Sequence, residues 1–393
     1  MELCKLELGK AVSLSDSRKL LKEIEETCEF KGHVSFPGAQ PVTMYRESLV
    51  DLNKKDYFVC EKSDGLRALL YIKGTEKKAY PFFIDRNCTV IQVKKPFLPC
   101  GSFLLDGEII KDKAGKYVYM VFDMMICRSK SICEKSLTER LTMATWYLNQ
   151  TQKWRATQKE KAPREGAPGE PLDFDVKIKM MHKSYGLAEV YRKIIPTLEH
   201  ENDGLIFTCV NYAYRPGTCP AYFKWKPPHL NSVDFRMRKS SLADGLYALL
   251  VCTNRTEVVF DWYWKDPMLS DLEENVKKRK GAEQTNHYGE IEDYDSLDGK
   301  IGEFSYKRKE YTIDVSDYSL RLGRWSLLRI REDKKMPNGY KTVVSVVQSI
   351  RENLTFKEIE GNVEKIRQNW RNRDKEMQAR SKQDHEDAKR RKE

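Results

Sequence analysis

The spacing of apolar residues predicts one helix followed by a run of short strands. Apolar side chains recur at helical intervals over residues 13–28. Over residues 57–125 the pattern changes to short apolar runs separated by Gly, Asp and Lys: YFVC, LRALLYI, YPFFI, FLLDGEII and YVYMVFDMM. Runs of this length are typical of a largely antiparallel sheet.

Two more helices are predicted before the strands resume at GLIFTCV and YFKWK. Ser136 and Glu139 form a capping box at the start of the first. The polar segment 151–171, which contains three prolines and two glycines, is expected to be a surface loop. The second helix is predicted from the apolar residues Leu187, Val190, Tyr191, Ile194 and Leu198.

A second strand-rich region follows Pro227 and Pro228, which mark a domain boundary near residue 235. Its short apolar runs are GLYALLVC, VVFDWYW, IGEFSY, WSLLRIR and TVVSVV, a number of strands that suits a small barrel. The acidic segment 271–298 is expected to be a loop or a short helix within it.

The chain ends in a helical stripe and a charged tail. The stripe, which should dock on the body of the protein, consists of Phe356, Ile359, Val363, Ile366 and Trp370. Residues 371–393 are almost wholly charged and are expected to be solvated or disordered. The predicted class is α+β, with domains at 1–235 and 236–355 and a helix with its tail at 356–393.

Composition narrows the class of partner and the compartment. The 393 residues carry a net charge of +11, which favours a polyanionic partner such as RNA or DNA. None of the ten cysteines forms a CxxC pair, so neither a zinc ribbon nor a redox motif is indicated, and a reducing compartment fits. No stretch approaches the roughly 18 uncharged apolar residues of a membrane span.

The most specific local motif is KSDGLR, in which Lys62 follows an apolar strand and Gly65 permits a tight turn. A lysine nucleophile must be neutral, and its ordinary pKa is about 10.4, so burial or nearby cations must lower it. The alternative interpretation is a charged β-hairpin.

Candidate cations are numerous. Lys224 and Lys226 alternate on a strand and point to one face, and Arg67 and Arg86 could join them. Such a cluster would bind phosphate oxygens and stabilise a departing pyrophosphate. A solvated strand face is the alternative for an isolated KWK.

Two acidic spots, Asp106-Gly107-Glu108 and Asp203-Gly204, follow strands and place carboxylates beside glycines. Mg²⁺ usually takes one or two carboxylates together with substrate phosphates, whereas ordinary turn acids are the alternative. Phe122 is either a core strand residue or a platform on which a base stacks.

The second domain carries RIREDK, whose arginines lie two positions apart on a strand. Arginines at that spacing face the same way and could clamp a triphosphate. A surface charge run is the alternative.

In this order the motifs resemble those of the covalent nucleotidyltransferase superfamily, which comprises mRNA capping enzymes and ATP-dependent DNA and RNA ligases. KSDGLR resembles its first motif, which implies that Lys62 becomes attached to the nucleotide. LLDGEI and ENDGLIF resemble two later motifs, which implies that Glu108 lies near the ribose and metal and that Asp203 is a metal-linked carboxylate. YMVFDMM implies that Phe122 stacks on the base.

The last two motifs of the superfamily are matched by YFKWKP and RIREDK. The first match implies that Lys224 and Lys226 lie at the α-phosphate. The second implies contacts with the β- and γ-phosphates, or with the departing pyrophosphate, for Arg329, Asp333 and Lys334.

Several segments look like the capping branch, of the cellular fungal and animal type: FPGAQPV, IDR at Ile84 to Arg86, KWKP and VDF. KMMHKSY also fits, and its Lys179 matches a lysine that reads guanine. The resemblance spans roughly residues 30–350 and implies a nucleotidyltransferase domain followed by an OB-fold domain.

The resemblance implies GTP as substrate, Mg²⁺ or Mn²⁺, the 5′-diphosphate end of RNA as acceptor, and a nuclear location. It also implies docking on the phosphorylated C-terminal repeats of RNA polymerase II. FPG stands about thirty-five residues into the chain, which looks like the fungal arrangement with a separate RNA 5′-triphosphatase subunit. The alternatives are a polynucleotide ligase, which would react with ATP, and a non-catalytic binding platform.

Overall fold

The computed structural model describes residues 3–30, 36–93, 97–161, 174–243, 245–265, 297–317 and 319–390. The chain forms two compact units. The first comprises the residues up to Lys226 together with those from Phe356 onward, and the second is Pro227–Thr355. Most of the acidic segment, residues 271–296, lies outside the described residues.

The strands in the first unit are β1 (Gly9–Ala11), β2 (Ala39–Thr43), β3 (Tyr57–Ser63), β4 (Leu66–Gly74), β5 (Ala79–Asp85), β6 (Val90–Val93), β7 (Phe103–Lys111), β8 (Tyr117–Cys127), β9 (Lys130–Ser131), β10 (Phe174–Ile178), β11 (His182–Lys183), β12 (Asn202–Cys209) and β13 (Gly217–Trp225). Those in the second are β14 (Ser232–Lys239), β15 (Leu246–Thr253), β16 (Thr256–Trp264), β17 (Ile301–Ile313) and β18 (Leu320–Ile330).

The α-helices are α1 (Leu14–Cys28), α2 (Ser48–Lys54), α3 (Leu137–Lys161), α4 (Leu187–Glu189), α5 (Tyr340–Glu352), α6 (Phe356–Glu360) and α7 (Val363–Arg390). Short 3₁₀ turns occur at Leu3–Leu6, Ser184–Gly186, Ile195–Thr197 and Pro228–Leu230, and a π-helical turn at Val190–Ile194.

The larger sheet of the first unit has the order β1-β6-β5-β4-β7-β8-β10, with β9 on the edge of β8. It is antiparallel except where β10 runs parallel to β8. Its inward side chains, among them Leu70, Phe83, Leu105 and Val121, are fully buried and form the core together with residues of α3. This sheet therefore gives the rigid backing for β7 and β8, which carry Glu108 and Phe122.

The smaller sheet of the first unit has the order β11-β3-β12-β13-β2 and carries Lys62, Asp203 and Lys224. The strands β3 and β4 therefore belong to different sheets, although only Asp64 and Gly65 lie between them. This arrangement excludes the charged β-hairpin, because β3 pairs with β11 and β12 while β4 pairs with β5 and β7.

The loop prediction for residues 151–171 is wrong for residues 151–161, which continue helix α3. Residues 151–162 contain no Gly or Pro, and the Gln, Lys, Arg and Ala among them are good helix formers. The rest of the predicted loop falls in the undescribed segment 162–173. The next predicted helix is a succession of short 3₁₀, α and π turns over Ser184–Thr197.

The second unit contains a five-stranded antiparallel sheet of order β16-β15-β14-β17-β18. The mixed α+β class with largely antiparallel sheets is thereby confirmed. In the described part of this unit the edge strands β16 and β18 share no hydrogen-bond ladder, but Arg321 and Trp325 of β18 both donate to Asp261 of β16. TVVSVV was predicted to be a strand but lies in helix α5, where Val343 and Ile350 pack on the sheet.

The C-terminal helices α6 and α7 belong to the first unit and pack on the rest of it. Ile359 and Ile366 are fully buried, and the ring of Trp370 stacks on Phe58 at 6.3 Å between centroids. The charged tail, expected to be solvated or disordered, is helical as far as Arg390. No helix in the described ranges is long and apolar enough to cross a membrane.

Candidate active site

A cavity of about 300 Å³ lies in the first unit, between its two sheets. Most of the predicted site residues line it: Lys62, Arg67, Arg86, Glu108, Phe122, Lys179, Lys224 and Lys226. Asp203 pairs with two of these lysines. The remaining three, Arg329, Asp333 and Lys334, belong to the second unit.

Lys62 stands at the end of β3, just before the chain crosses to the other sheet. A side chain at Gly65 would overlap the carbonyl oxygen of Ile109, so only glycine fits this crossing. The Lys62 side chain is 22% exposed, and its Nζ lies 2.7 Å from Oδ1 of Asp203. The amine is therefore fixed by both backbone and ion pair while it faces the cavity.

Asp203 lies in β12 rather than at a turn. Gly204 has a φ of +155°, and a side chain there would overlap the carbonyl oxygen of Trp225 on β13. The glycine thus allows the two strands to approach closely, and Oδ2 of Asp203 lies 2.5 Å from Nζ of Lys226. The turn interpretation of Asp203-Gly204 is wrong.

The acidic spot at Asp106-Gly107-Glu108 also lies inside a strand, β7, so the turn interpretation is wrong there too. A side chain at Gly107 would overlap the ring of Tyr119 on the neighbouring strand. Both glycines therefore serve close packing, and the carboxylates are held by sheet backbone rather than by a loop.

Lys224 and Lys226 both line the cavity, and Trp225 between them is buried. Burial lowers the pKa of Lys224, and the positive charges of Lys62, Lys226 and Arg86 lower it further. Burial likewise lowers the pKa of Arg86. Cations crowded to this degree attract an anion strongly, and phosphate oxygens are a suitable ligand.

The guanidinium of Arg67 interacts with other residues of the protein. Its Nε and one terminal nitrogen donate to the two carboxylate oxygens of Asp106, at 3.1 and 2.6 Å. The guanidinium lies 5.3 Å from the ring centroid of Phe122 and 5.6 Å from that of Phe36. Arg67 therefore supports the face of Phe122, which lines the cavity, rather than adding a free cation.

Glu108 is the second carboxylate at the cavity. Burial raises its pKa, while the nearby charges of Lys179 and Lys62 oppose this, and its Oε1 accepts the Gly65 N–H at 3.3 Å. Among the described residues no three His, Cys, Asp or Glu side chains gather as a metal site. Glu108 and Asp203 supply the carboxylate donors that Mg²⁺ or Mn²⁺ prefers, since such ions accept one or two carboxylates and complete their shell with phosphate and water.

Lys179 belongs to a buried polar network that the motifs did not predict. Its Nζ donates to Oγ of Ser63 at 2.8 Å and lies 3.3 Å from Oε1 of Glu61. Nε2 of His200 lies 3.1 Å from the same Oγ. In the sequence, Tyr57, Val59 and Glu61 are alternate residues of one strand and therefore face the same side. A charged residue on this apolar side was the signal that could have revealed the network.

A second missed pair is Asp123 with Arg140. Arg140 is fully buried in α3 and donates from Nε and a terminal nitrogen to Asp123, at 2.7 and 2.9 Å. Asp123 lines the cavity directly after Phe122. The signal was an arginine between Leu137 and Leu141 on the apolar face of a predicted helix.

In the second unit the RIREDK residues are tied to acidic partners. Nε of Arg329 lies 2.7 Å from Oε2 of Glu303, and Lys334 pairs with Asp234. Asp333 pairs with Arg331 at 2.9 Å, which holds the pKa of Asp333 well below its usual range. Arg329 and Lys334 would have to release these carboxylates before they could bind a phosphate.

A rigid lysine, crowded cations and two carboxylates are the kinds of side chain that nucleotidyl transfer uses. The model of the mRNA capping enzyme catalytic domain matches residues 7–228, and that of the mRNA capping enzyme C-terminal domain matches residues 230–359. The chain belongs to the mRNA capping enzyme family.

Curated relatives agree over most of the chain. The mRNA-capping enzyme subunit alpha of Neurospora crassa is 30% identical, over 88% of this chain and 89% of the relative. The subunit of the same name in Schizosaccharomyces pombe is 29% identical, over 87% and 83%. The mRNA-capping enzyme of Mus musculus is 27% identical, over 88% of this chain but 53% of its own length.

Proposed function

We propose that this protein is a GTP:RNA guanylyltransferase that carries GMP on Lys62 and transfers it to the 5′-diphosphate end of RNA. The observation that carries the proposal is the Nζ of Lys62, held 2.7 Å from Asp203 at the edge of a cavity that Lys224 and Lys226 also line. The names of the relatives, which are mRNA-capping enzymes, support the same reaction.

In the first step the neutral Nζ of Lys62 attacks the α-phosphorus of GTP. An N–P bond forms, the bond between the α-phosphorus and the bridging oxygen breaks, and pyrophosphate leaves. One proton departs from Nζ, and Oδ1 of Asp203 lies close enough to receive it. Lys224 and Lys226 stabilise the charge that develops on the phosphate oxygens.

In the second step the terminal phosphate oxygen of 5′-diphosphate RNA attacks the same phosphorus. The N–P bond breaks, Lys62 regains its proton, and the product is GpppN. The order of the two steps makes the reaction ping-pong.

The remaining residues of the cavity position the nucleotide. Phe122, backed by the guanidinium of Arg67, offers a flat face on which guanine stacks. Lys179, which lines the cavity, donates to the keto oxygen of the base. Glu108 and Asp203 would hold Mg²⁺ or Mn²⁺, which would supply further neutralisation of phosphate charge.

Residues of the second unit and other macromolecules also take part in the proposed function. The β- and γ-phosphates, or the departing pyrophosphate, are contacted by Arg329, Asp333 and Lys334. A separate RNA 5′-triphosphatase subunit supplies the diphosphate end, which the word subunit in the fungal relatives' names supports. The phosphorylated repeats of RNA polymerase II recruit the protein in the nucleus.

The test is incubation with α-labelled GTP and Mg²⁺, with α-labelled ATP in a parallel tube, followed by a denaturing gel. Label from GTP that stays on the protein, and that is lost in the Lys62→Ala variant, is the expected result. Label from ATP alone would make the protein a ligase. Label from neither nucleotide would favour a non-catalytic binding platform.

A further inference from the structure

The segment that follows the second unit returns to the lysine-bearing strand of the first. Lys226 is the last residue of the first unit before the chain leaves it, and Phe356 is the first after the chain returns. Phe356 opens helix α6, and its ring centroid lies 6.1 Å from that of Trp225. The chain segments that lead into and out of the second unit therefore meet at Trp225, the residue between Lys224 and Lys226.

Three aromatic rings make this contact. Phe356 stacks on Tyr191 with centroids 4.0 Å apart and planes 17° from parallel. Tyr191 meets Trp225 edge-on at 5.8 Å. Because side chains alternate along a strand, Trp225 points away from the cavity that Lys224 and Lys226 line. Tyr191 and Phe356 thus pack against the back of the strand whose front carries the two lysines.

Two ion pairs hold α6 in this position. Glu358 accepts two hydrogen bonds from Arg46, at 3.0 and 2.7 Å. Glu360 pairs with Arg192, the residue after Tyr191, at 2.6 Å. The guanidinium of Arg192 also lies over the ring of Phe356, at 5.6 Å.

Arg46 is connected to the lysine strand from the other side. The N–H of Met44, two residues earlier, donates to the carbonyl oxygen of Lys224 at 2.9 Å, and Thr43 pairs with Lys224 in the β2–β13 ladder. Helix α6 therefore joins the two segments that contact Lys224 and Trp225 and fixes them to one another.

We propose that Phe356 is a positioning residue for the reaction: by holding Trp225 it fixes the placement of Lys224 and Lys226 at the α-phosphate. The inference rests on the proposed function. A displacement of about 1 Å in a group that stabilises the transition state can cost about a hundredfold in rate. Loss of the Phe356 ring frees Trp225 to tilt, and its two neighbours on the strand tilt with it.

The test compares two substitutions in the C-terminal segment. Phe356→Ala removes the ring that touches Trp225, and Ile366→Ala removes a fully buried side chain from α7, ten positions further along the chain. The rate of covalent GMP attachment at saturating GTP is measured per folded protein, well below the thermal midpoint of each variant. Phe356→Ala should be slower by about ten- to a hundredfold, while Ile366→Ala keeps the wild-type rate.

A conservative series separates positioning from simple stability. Phe356→Tyr keeps the stacked ring and should restore most of the rate, whereas Phe356→Leu fills the space without stacking and should restore less. The milder Phe356→Leu also remains measurable if Phe356→Ala does not fold. A rate per folded protein equal to wild type in both Phe356→Ala and Phe356→Leu would overturn the inference.

GMP uptake by the wild-type protein distinguishes a failure of the proposed function from a failure of the positioning role. A wild-type protein that takes up no GMP refutes the proposed function and this inference with it. An active wild type with equally active Phe356 variants refutes only the positioning role.

Discussion

One carboxylate separates two lysines at the centre of the site: Oδ1 of Asp203 lies 2.7 Å from Nζ of Lys62, and Oδ2 lies 2.5 Å from Nζ of Lys226. Each of these three side chains is between one-fifth and one-third exposed. Asp203 therefore keeps the amine of Lys62 close to the phosphate-binding cations while it remains accessible to a nucleotide.

Substituting Asp203 by Asn removes the charge that holds this arrangement. We expect the rate of covalent GMP attachment to fall by about a hundredfold or more, the size of effect seen when one preorganised electrostatic group is lost. Rapid-quench labelling with α-labelled GTP measures it. The matched control is Asp175→Asn, which breaks a surface pair with Lys116 at 2.8 Å and should leave the rate unchanged. A rate within threefold of wild type for Asp203→Asn would contradict the role.

Substituting Gly204 by Ala tests the close approach of β12 to β13. Its φ of +155° disfavours any side chain, and the new methyl group would overlap the Trp225 carbonyl. We expect a loss of about 3 kcal/mol or more in the free energy of unfolding, from backbone strain and overpacking together. Denaturant unfolding followed by circular dichroism measures it.

Gly217→Ala is the control for backbone strain alone. Gly217 has a φ of +79°, and nothing lies within 4 Å of the added methyl group. Its cost should be about 1 kcal/mol. Equal losses for the two variants would show that the strand contact at Trp225 contributes nothing.

The lowered pKa of Lys224 predicts that the stability of the folded protein depends on pH. Burial and the charges of Lys62, Lys226 and Arg86 lower its pKa, so the folded protein binds this proton more weakly than the unfolded chain does. Below the lowered pKa the lysine is charged in both states and the folded state bears the full penalty. The penalty disappears as the pH rises from the lowered pKa towards the ordinary lysine value of 10.5.

The Lys224→Met variant should therefore be more stable than wild type at pH 7, with a gain that shrinks as the pH approaches 10.5. A gain of about 1 kcal/mol corresponds to about 2–4 °C in the thermal midpoint for a unit of this size. Calorimetry at several pH values measures it, with the exposed Lys19→Met as control. A lower midpoint at pH 7 for Lys224→Met would refute the electrostatic account, and GMP attachment should be lost in the same variant.

The local features of the site were predictable because they follow from short-range pattern. Alternation along YFKWK places Lys224 and Lys226 on one side, and the structure lines one cavity with both. The end of β3 and the tight crossing at Gly65 also follow from the motif. These inferences need only the period of a strand and the special backbone of glycine.

The pairing of strands was not predictable in the same way. The motif KSDGLR does not show that β3 and β4 enter different sheets, because that depends on the distant strands β12 and β7 with which they pair. For the same reason Arg67 was expected to join the cation cluster, although Asp106 engages it. TVVSVV was predicted to be a strand because β-branched residues favour strands, but burial of one helical face outweighs that preference.

The central claim is that Lys62 becomes attached to GMP, and peptide mapping tests it most directly. The protein is incubated with GTP and Mg²⁺, digested under non-acidic conditions, and analysed by tandem mass spectrometry. The account predicts GMP on Lys62 and on no other lysine. GMP on Lys179, Lys224 or Lys226 instead, or a labelled protein in which Lys62 is unmodified, would contradict it.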